Sequence, residues 1–110
     1  MRWSHYQHTV TSAEETAKIV KLTRFLRNGN VLKIINLINE DTYWLPSTVA
    51  VYRIGTTTNG LSLFHRRTQT GKKDVHWEGS LIMKDDFRKI IGTVNNPVVA
   101  DVIHLTVGYE

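Results

Sequence analysis

Three stretches of the chain alternate polar and apolar side chains with a period of two, and this pattern restricts the fold more than any other feature. The stretches are residues 49–54, 61–66 and 75–83. Successive side chains of an extended strand point to opposite faces of a sheet, so such alternation is typical of half-buried β-strands. The sequence therefore predicts an antiparallel sheet built largely from the second half of the chain.

Turn sequences separate these stretches. Residues 55–60 end in Asn59-Gly60, the dipeptide that most strongly favours a tight hairpin turn. Gly71 lies among polar neighbours between the second and third stretches and indicates another turn. Gly79 falls inside the third stretch, where a glycine often marks a β-bulge. We therefore expect a hairpin at Asn59-Gly60, a second turn near Gly71, and a bulge in the last of the three strands.

A long helix is predicted over residues 12–27, after a short strand at residues 2–10. Ser12 followed by Glu15 matches a capping box, and Thr11 followed by Glu14 gives the same signal one position earlier. Apolar residues that would share one helical face are Ile19, Leu22, Phe25 and Leu26. Basic residues on the opposite face, which offer a second candidate for phosphate contacts, are Lys21, Arg24 and Arg27. The Asn-Gly-Asn sequence at residues 28–30 would end this helix.

The remaining segments are shorter. Residues 31–38 fit a helix face or a buried strand, and their β-branched content favours the strand. A short helix is predicted at residues 85–91, capped by Asp85 or Asp86 and ended by a glycine. Residues 98–107 are expected to form the last strand.

Together these elements predict an α+β fold. We expect one domain over residues 1–110, with an antiparallel sheet of about four to five strands. One long N-terminal helix and one short helix near residues 85–91 would pack on one face of that sheet.

The chain contains no cysteine, which excludes disulfides, Cys-based zinc sites and thiol nucleophiles. Small secreted domains often depend on disulfides, so a cytoplasmic location is expected. The longest apolar run, residues 31–38, is too short to span a membrane, and the N-terminal residues show no apolar signal core. No phosphate-binding loop, dinucleotide fingerprint or nucleophile elbow occurs, so we expect no cofactor and assign no catalytic residue or metal ligand.

The positive charge of the chain is unevenly distributed. The formal net charge is +4, and no aspartate or glutamate occurs between Thr42 and Lys73. The cations of this acid-free segment are Arg53, Arg66, Arg67, Lys72 and Lys73. Positive charge without neighbouring acids attracts phosphate-bearing partners.

Aromatic residues accompany these cations in the predicted hairpins. Tyr52, Phe64 and Trp77 are suited to stacking on unpaired bases. We therefore predict a small nucleic-acid-associated binding module for single-stranded DNA or RNA, in which the cations contact phosphates and the rings stack. The competing interpretation is that the rings belong to the core and the cations merely keep the turns soluble.

Two other functions remain open. The first is a viral or mobile-element protein that binds and occludes a host protein. The second is a small ribonuclease-like enzyme using His76, Glu78 or His65. Asp74, His76 and Glu78 share one strand face, which also suits a metal, although a half-exposed strand gives the same string. An exposed strand edge would additionally allow a homodimer.

Overall fold

The computed structural model describes residues 1–40, 46–66 and 74–110, and these form eight strands and one short helix. In chain order the elements are β1 (Arg2–Thr9), α1 (Ser12–Ala17), β2 (Ile19–Phe25), β3 (Val31–Asn39), β4 (Ser47–Arg53), β5 (Leu61–Arg66), β6 (Asp74–Ile82), β7 (Phe87–Asn95) and β8 (Val102–Tyr109).

The strands form two four-stranded antiparallel sheets packed face to face. Sheet A has the order β1-β8-β3-β6, and sheet B has the order β2-β7-β4-β5. Most connections cross from one sheet to the other, and this arrangement is that of an eight-stranded jelly roll. The predicted α+β class is therefore wrong: the fold is an all-β sandwich, in which the one described helix has six residues.

The predicted long N-terminal helix is wrong beyond its first turns. A capping box between Thr11 and Glu14 starts α1, but Lys18 adopts a left-handed conformation (φ 62°) and ends it. The chain then enters β2, where Val20 and Leu22 are buried and Lys21 is exposed. Apolar spacing in this segment fits both a helical and a two-residue period, and pairing with β7 selects the strand.

The predicted helix at residues 85–91 is also wrong. Asp85 has a left-handed conformation (φ 57°), and the N–H of Phe87 donates to the carbonyl of Lys84 at 3.0 Å. These features make a tight turn between β6 and β7 instead of a helix N-terminus. β7 then runs through the centre of sheet B, between β2 and β4, where its β-branched residues Ile90 and Ile91 are buried.

Several sequence predictions are confirmed. The first strand, the strand at residues 31–38 and the hairpin turn at residues 55–60 all occur. Leu32 pairs with Leu81 and Ile34 with Glu78, so β6 has one residue more than β3 between these pairs. This register shift is the predicted bulge at Gly79. The last strand begins at Val102, later than predicted, because a turn precedes it.

The core lies between the two sheets. Its largest fully buried side chains are Leu22, Leu32, Ile35, Leu37, Met83, Ile90, Ile103 and Leu105. Gly92 of β7 faces the same core, because its pairing partners Leu22 and Val49 are both buried. A Cβ atom at position 92 would lie 3.3 Å from Leu37 Cδ1 of the opposite sheet. The sheets therefore approach closely at this glycine.

None of the described helical residues belongs to a helix long and apolar enough to cross a membrane.

Candidate nucleic-acid interface

The fold places Arg53 and Arg66 at opposite ends of the sandwich. Arg66 pairs with Ser47 at the start of β4, whereas Arg53 ends the same strand six positions later. At about 3.3 Å per residue these positions are roughly 20 Å apart along the strand. For Arg66 the structure describes the backbone only, and Arg67, Lys72 and Lys73 lie outside the described residues.

The charge of Arg53 is locally balanced. Its Nη1 donates to Asp86 Oδ1 at 2.6 Å, and both side chains are more than half exposed. An exposed ion pair of this kind contributes little to stability. It does, however, reduce the attraction of Arg53 for a phosphate.

The three predicted stacking residues do not share a surface. Phe64 pairs with buried Val49 and packs against the core. Trp77 pairs with buried Ile35, and its ring lies against Gly79, where a Cβ atom would collide with it. Tyr52 lies on sheet B with its ring over Gly60, which is also too close for a Cβ atom. Phe64 and Trp77 thus contribute to core packing.

The predicted polar face of β6 forms local pairs. His76 Nε2 lies 2.7 Å from Glu78 Oε1, and His76 Nδ1 contacts the side-chain oxygen of Asn36 on β3. The side chain of Asp74 and that of His65 lie outside the described part of the structure. Among the described residues no three histidine or acidic groups are placed to hold a metal ion.

The basic residues assigned to a helical face separate when the segment becomes a strand. Lys21 points outward from sheet B, whereas Arg24 pairs with buried Ile90 and points between the sheets. The Arg24 guanidinium lies 4.4 Å from the centre of the Tyr6 ring and donates to the carbonyl of His5 at 3.2 Å. Arg24 therefore bridges the open side of the sandwich between β1 and β2. Arg27 lies beyond the strand.

Arg27 instead contributes to a cleft at the end of the sandwich where β1 begins and β8 ends. This cleft, called the arginine cleft below, has a volume of about 250 Å³. Its lining residues are Arg2, Phe25, Leu26, Arg27, Asn30 and Tyr109.

Two pairings bring the parts of the arginine cleft together. Arg2 of β1 pairs with Tyr109 of β8, and the Arg2 guanidinium lies 5.5 Å from the centre of the Tyr109 ring. In the β2–β3 turn, the N–H of Arg27 donates to Asn30 Oδ1 at 2.9 Å, and the N–H of Asn30 donates to the carbonyl of Arg27 at 3.0 Å. Gly29 supplies the left-handed conformation (φ 94°) that this turn requires.

The arginine cleft is electrostatically suited to an anion. Within the described part of the chain neither Arg2 nor Arg27 forms an ion pair with a carboxylate, and no acidic residue lines the cleft. Guanidinium groups bind phosphate oxygens in a bidentate manner. Phe25 is 55% exposed beside them and presents a ring to which a base can stack.

Sequence reasoning identified only Arg27 in this cleft, and placed it on a helix. Arg2 and Tyr109 are separated by nearly the whole chain, and only the β1–β8 pairing joins them. Phe25 was assigned to a buried helical face. The alternation of the apolar Val20 and Leu22 with the polar Lys21 and Thr23 was the available signal that this segment is a strand.

The strand order defines the class of this protein as a jelly-roll β-sandwich. No model of a known protein family matches the sequence, and no curated protein matches it. Among solved structures, the core of Drosophila NLP, described in terms of pentamer formation and histone binding, is similar at 13% identity. The similarity covers 97% of this chain and 98% of that one, with a TM-score of 0.47.

Proteins in structures of infectious bursal disease virus are also similar. For the Gt strain the identity is 10% and the TM-score 0.43, over 99% of this chain and 30% of the viral one. For the Gx strain the identity is 10% and the TM-score 0.29, over 97% and 33%. This chain thus spans about a third of the viral proteins. Similarity at this level does not indicate function.

Proposed function

We propose that this domain binds single-stranded nucleic acid, DNA or RNA, through the arginine cleft. The observation that carries the proposal is that two guanidinium groups, which form no ion pair with a carboxylate of the described residues, and one exposed aromatic ring line a single cleft. Phosphate contacts supply most of the affinity in non-specific nucleic-acid binding, and stacking on an aromatic ring adds to it without regard to sequence.

Each lining residue has a defined role in this proposal. Arg2 and Arg27 contact phosphate oxygens, and Phe25 stacks on one base. The side-chain oxygen of Asn30 accepts the N–H of Arg27, which leaves its amide N–H groups as donors. A volume of about 250 Å³ is below the range of about 300–1,000 Å³ typical of small-molecule pockets. The cleft therefore suits one nucleotide unit of a longer strand.

Acidic groups at the same end limit the expected affinity. Asp86 pairs with Arg53, and Asp85 is exposed in the neighbouring turn. With few unbalanced cations, we expect a Kd of roughly 10⁻⁴ to 10⁻⁶ M at physiological salt, the range of non-specific binding. The backbone of Arg66 lies at the opposite end, and Arg66 together with Arg67, Lys72 and Lys73, which lie outside the described residues, constitutes a separate candidate contact region.

The test is fluorescence anisotropy of a labelled single-stranded oligonucleotide at increasing salt, with Arg2→Gln/Arg27→Gln compared to the native chain. Each phosphate contact on a single strand contributes about 0.7 to the salt slope, so the double variant is expected to lower the slope by about 1.4 and weaken binding. Lys21→Gln, which removes an exposed cation from the outer face of sheet B, is the control and should leave the slope nearly unchanged.

A second variant, Arg67→Gln/Lys72→Gln/Lys73→Gln, tests the cations predicted from the acid-free segment separately from the arginine cleft. Loss of binding in this variant, with full binding by Arg2→Gln/Arg27→Gln, would move the interface to residues 67–73. Absence of detectable binding, or binding that is insensitive to salt, would refute the nucleic-acid proposal as a whole.

A further inference from the structure

Two histidines lie next to one another on the outer face of sheet A. His5 of β1 pairs with Thr106 of β8, and His104, two residues earlier on β8, pairs with Gln7. His5 and His104 are therefore diagonal neighbours, and both point away from the core because Tyr6 and Leu105 between them point inward. Their rings are 5.1 Å apart, centre to centre.

One nitrogen of each ring faces the other ring. His5 Nε2 and His104 Nδ1 are 3.2 Å apart. In a tetrahedral site with metal–nitrogen bonds of about 2.0–2.1 Å, two ligand nitrogens are about 3.3 Å apart. The observed separation therefore matches the spacing of two nitrogen ligands on one metal ion.

The other nitrogen of each ring is already oriented by a partner. His104 Nε2 lies 2.6 Å from Glu40 Oε2, and His5 Nδ1 lies 2.8 Å from Thr106 Oγ1. An ionised carboxylate only accepts, so Glu40 holds the proton of His104 on Nε2 and leaves Nδ1 unprotonated, with its lone pair toward His5 Nε2. The hydroxyl of Thr106 both donates and accepts, and in the tautomer in which it accepts the Nδ1 proton of His5, the Nε2 lone pair points toward His104. Partners of this kind typically fix the tautomer of metal-binding histidines.

We propose that His5 Nε2 and His104 Nδ1 bind a divalent transition metal ion, with Glu40 and Thr106 positioning the two rings. Imidazole ligands suit Zn²⁺, Ni²⁺ and Cu²⁺, and for a given set of nitrogen ligands Cu²⁺ binds most tightly of the three. Because no third ligand comes from the described residues, the remaining coordination positions are open to water or to an external ligand. This site is independent of the arginine cleft.

His76 on the same face provides a matched control. Its two ring nitrogens contact Asn36 and Glu78, so no lone pair is directed at a second histidine. His76→Gln removes an exposed histidine from sheet A and leaves the His5–His104 pair in place.

The test is calorimetric titration of the full chain with Ni²⁺ or Zn²⁺ alone, accompanied by NMR of the imidazole nitrogens. We expect one ion per chain, with the largest shifts at His5 Nε2 and His104 Nδ1. His5→Gln and His104→Gln should each abolish this binding, and His76→Gln should not affect it. Glu40→Gln should retain the stoichiometry and weaken binding about 10- to 100-fold, because Glu40 acts through His104.

Circular dichroism of each variant establishes that it is folded, and His5, which is exposed on an edge strand, is the substitution least able to disturb the fold. Absence of binding to the native chain would overturn the proposal. Binding that persists in both His5→Gln and His104→Gln, or that is lost in His76→Gln, would also overturn it.

Discussion

Replacing Gly92 with valine is expected to destabilise the sandwich by about 1–3 kcal/mol. Gly92 faces the core from the centre of sheet B, and a Cβ atom there would lie 3.3 Å from Leu37 Cδ1 and 3.6 Å from Leu105 Cδ1 of sheet A. The Cβ alone requires a shift of a few tenths of an ångström. Two further methyl groups have no space between the sheets, and they must displace Leu37 or separate the sheets.

Alanine at position 92 provides the matched comparison. Its single methyl group is tight against Leu37, but replacing glycine within a strand also recovers about 0.5–1 kcal/mol of conformational entropy. These effects oppose one another, so Gly92→Ala is expected to change the free energy of unfolding by less than about 1 kcal/mol.

Urea denaturation of a double-mutant cycle tests whether Leu37 is the obstructing residue. Leu37→Ala alone should cost about 2–5 kcal/mol by leaving a cavity. In Gly92→Val/Leu37→Ala the valine occupies part of that cavity, so the double variant should be more stable than the sum of the single effects predicts. Additive effects, or a Gly92→Val variant as stable as the native chain, would refute the close approach of the two sheets at this position.

Two further predictions concern polar groups at the end of the sandwich opposite the arginine cleft. Burial opposes ionisation of Glu14, but hydrogen bonds from His8 and Thr11 outweigh it and lower the pKa of Glu14. The stability that arises from this lowered pKa is present above the pKa of glutamate in the unfolded chain, about 4.3, and is lost as the pH falls through the lower pKa of the folded protein. Glu14→Gln should therefore lower the free energy of unfolding by about 1 kcal/mol near pH 7 and by less at acidic pH. Denaturation of the native chain and of Glu14→Gln near pH 7 and at acidic pH measures this cost in the free energy of unfolding. An equal cost at both pH values would contradict the prediction. The buried carboxylate of Asp101 accepts the N–H of Val98 at 3.1 Å, so Asp101→Ala should cost about 1–3 kcal/mol and Asp101→Asn less. Equal losses in thermal denaturation would argue against this hydrogen bond.

Strands β4, β5 and β6 were predictable because their side chains alternate around strong turn signals. The Asn59-Gly60 turn and the Gly79 bulge both follow from local sequence. The segments that were assigned to helices from the sequence carry local signals for both a helix and a strand. Leu22 and Leu26, four residues apart, satisfy a helical period as well as strand alternation, and pairing with β7 decides between them.

The arginine cleft was not predictable from local patterns. Arg2 and Tyr109 come from opposite ends of the chain, and the β2–β3 turn adds Phe25 and Arg27. Only the strand order of a jelly roll brings these three segments to one end of the sandwich. The acid-free segment of residues 42–73 stands out by composition, yet the two of its cations whose backbone the structure describes, Arg53 and Arg66, lie at opposite ends of the sandwich.

The most direct test of the central claim is NMR mapping of the backbone amides during titration with a single-stranded oligonucleotide. The account predicts that the amides with the largest shift changes are those of Arg2, residues 25–30 and Tyr109, and that Arg2→Gln/Arg27→Gln removes these changes. Shift changes confined to residues 66–74, or no changes at all, would contradict it.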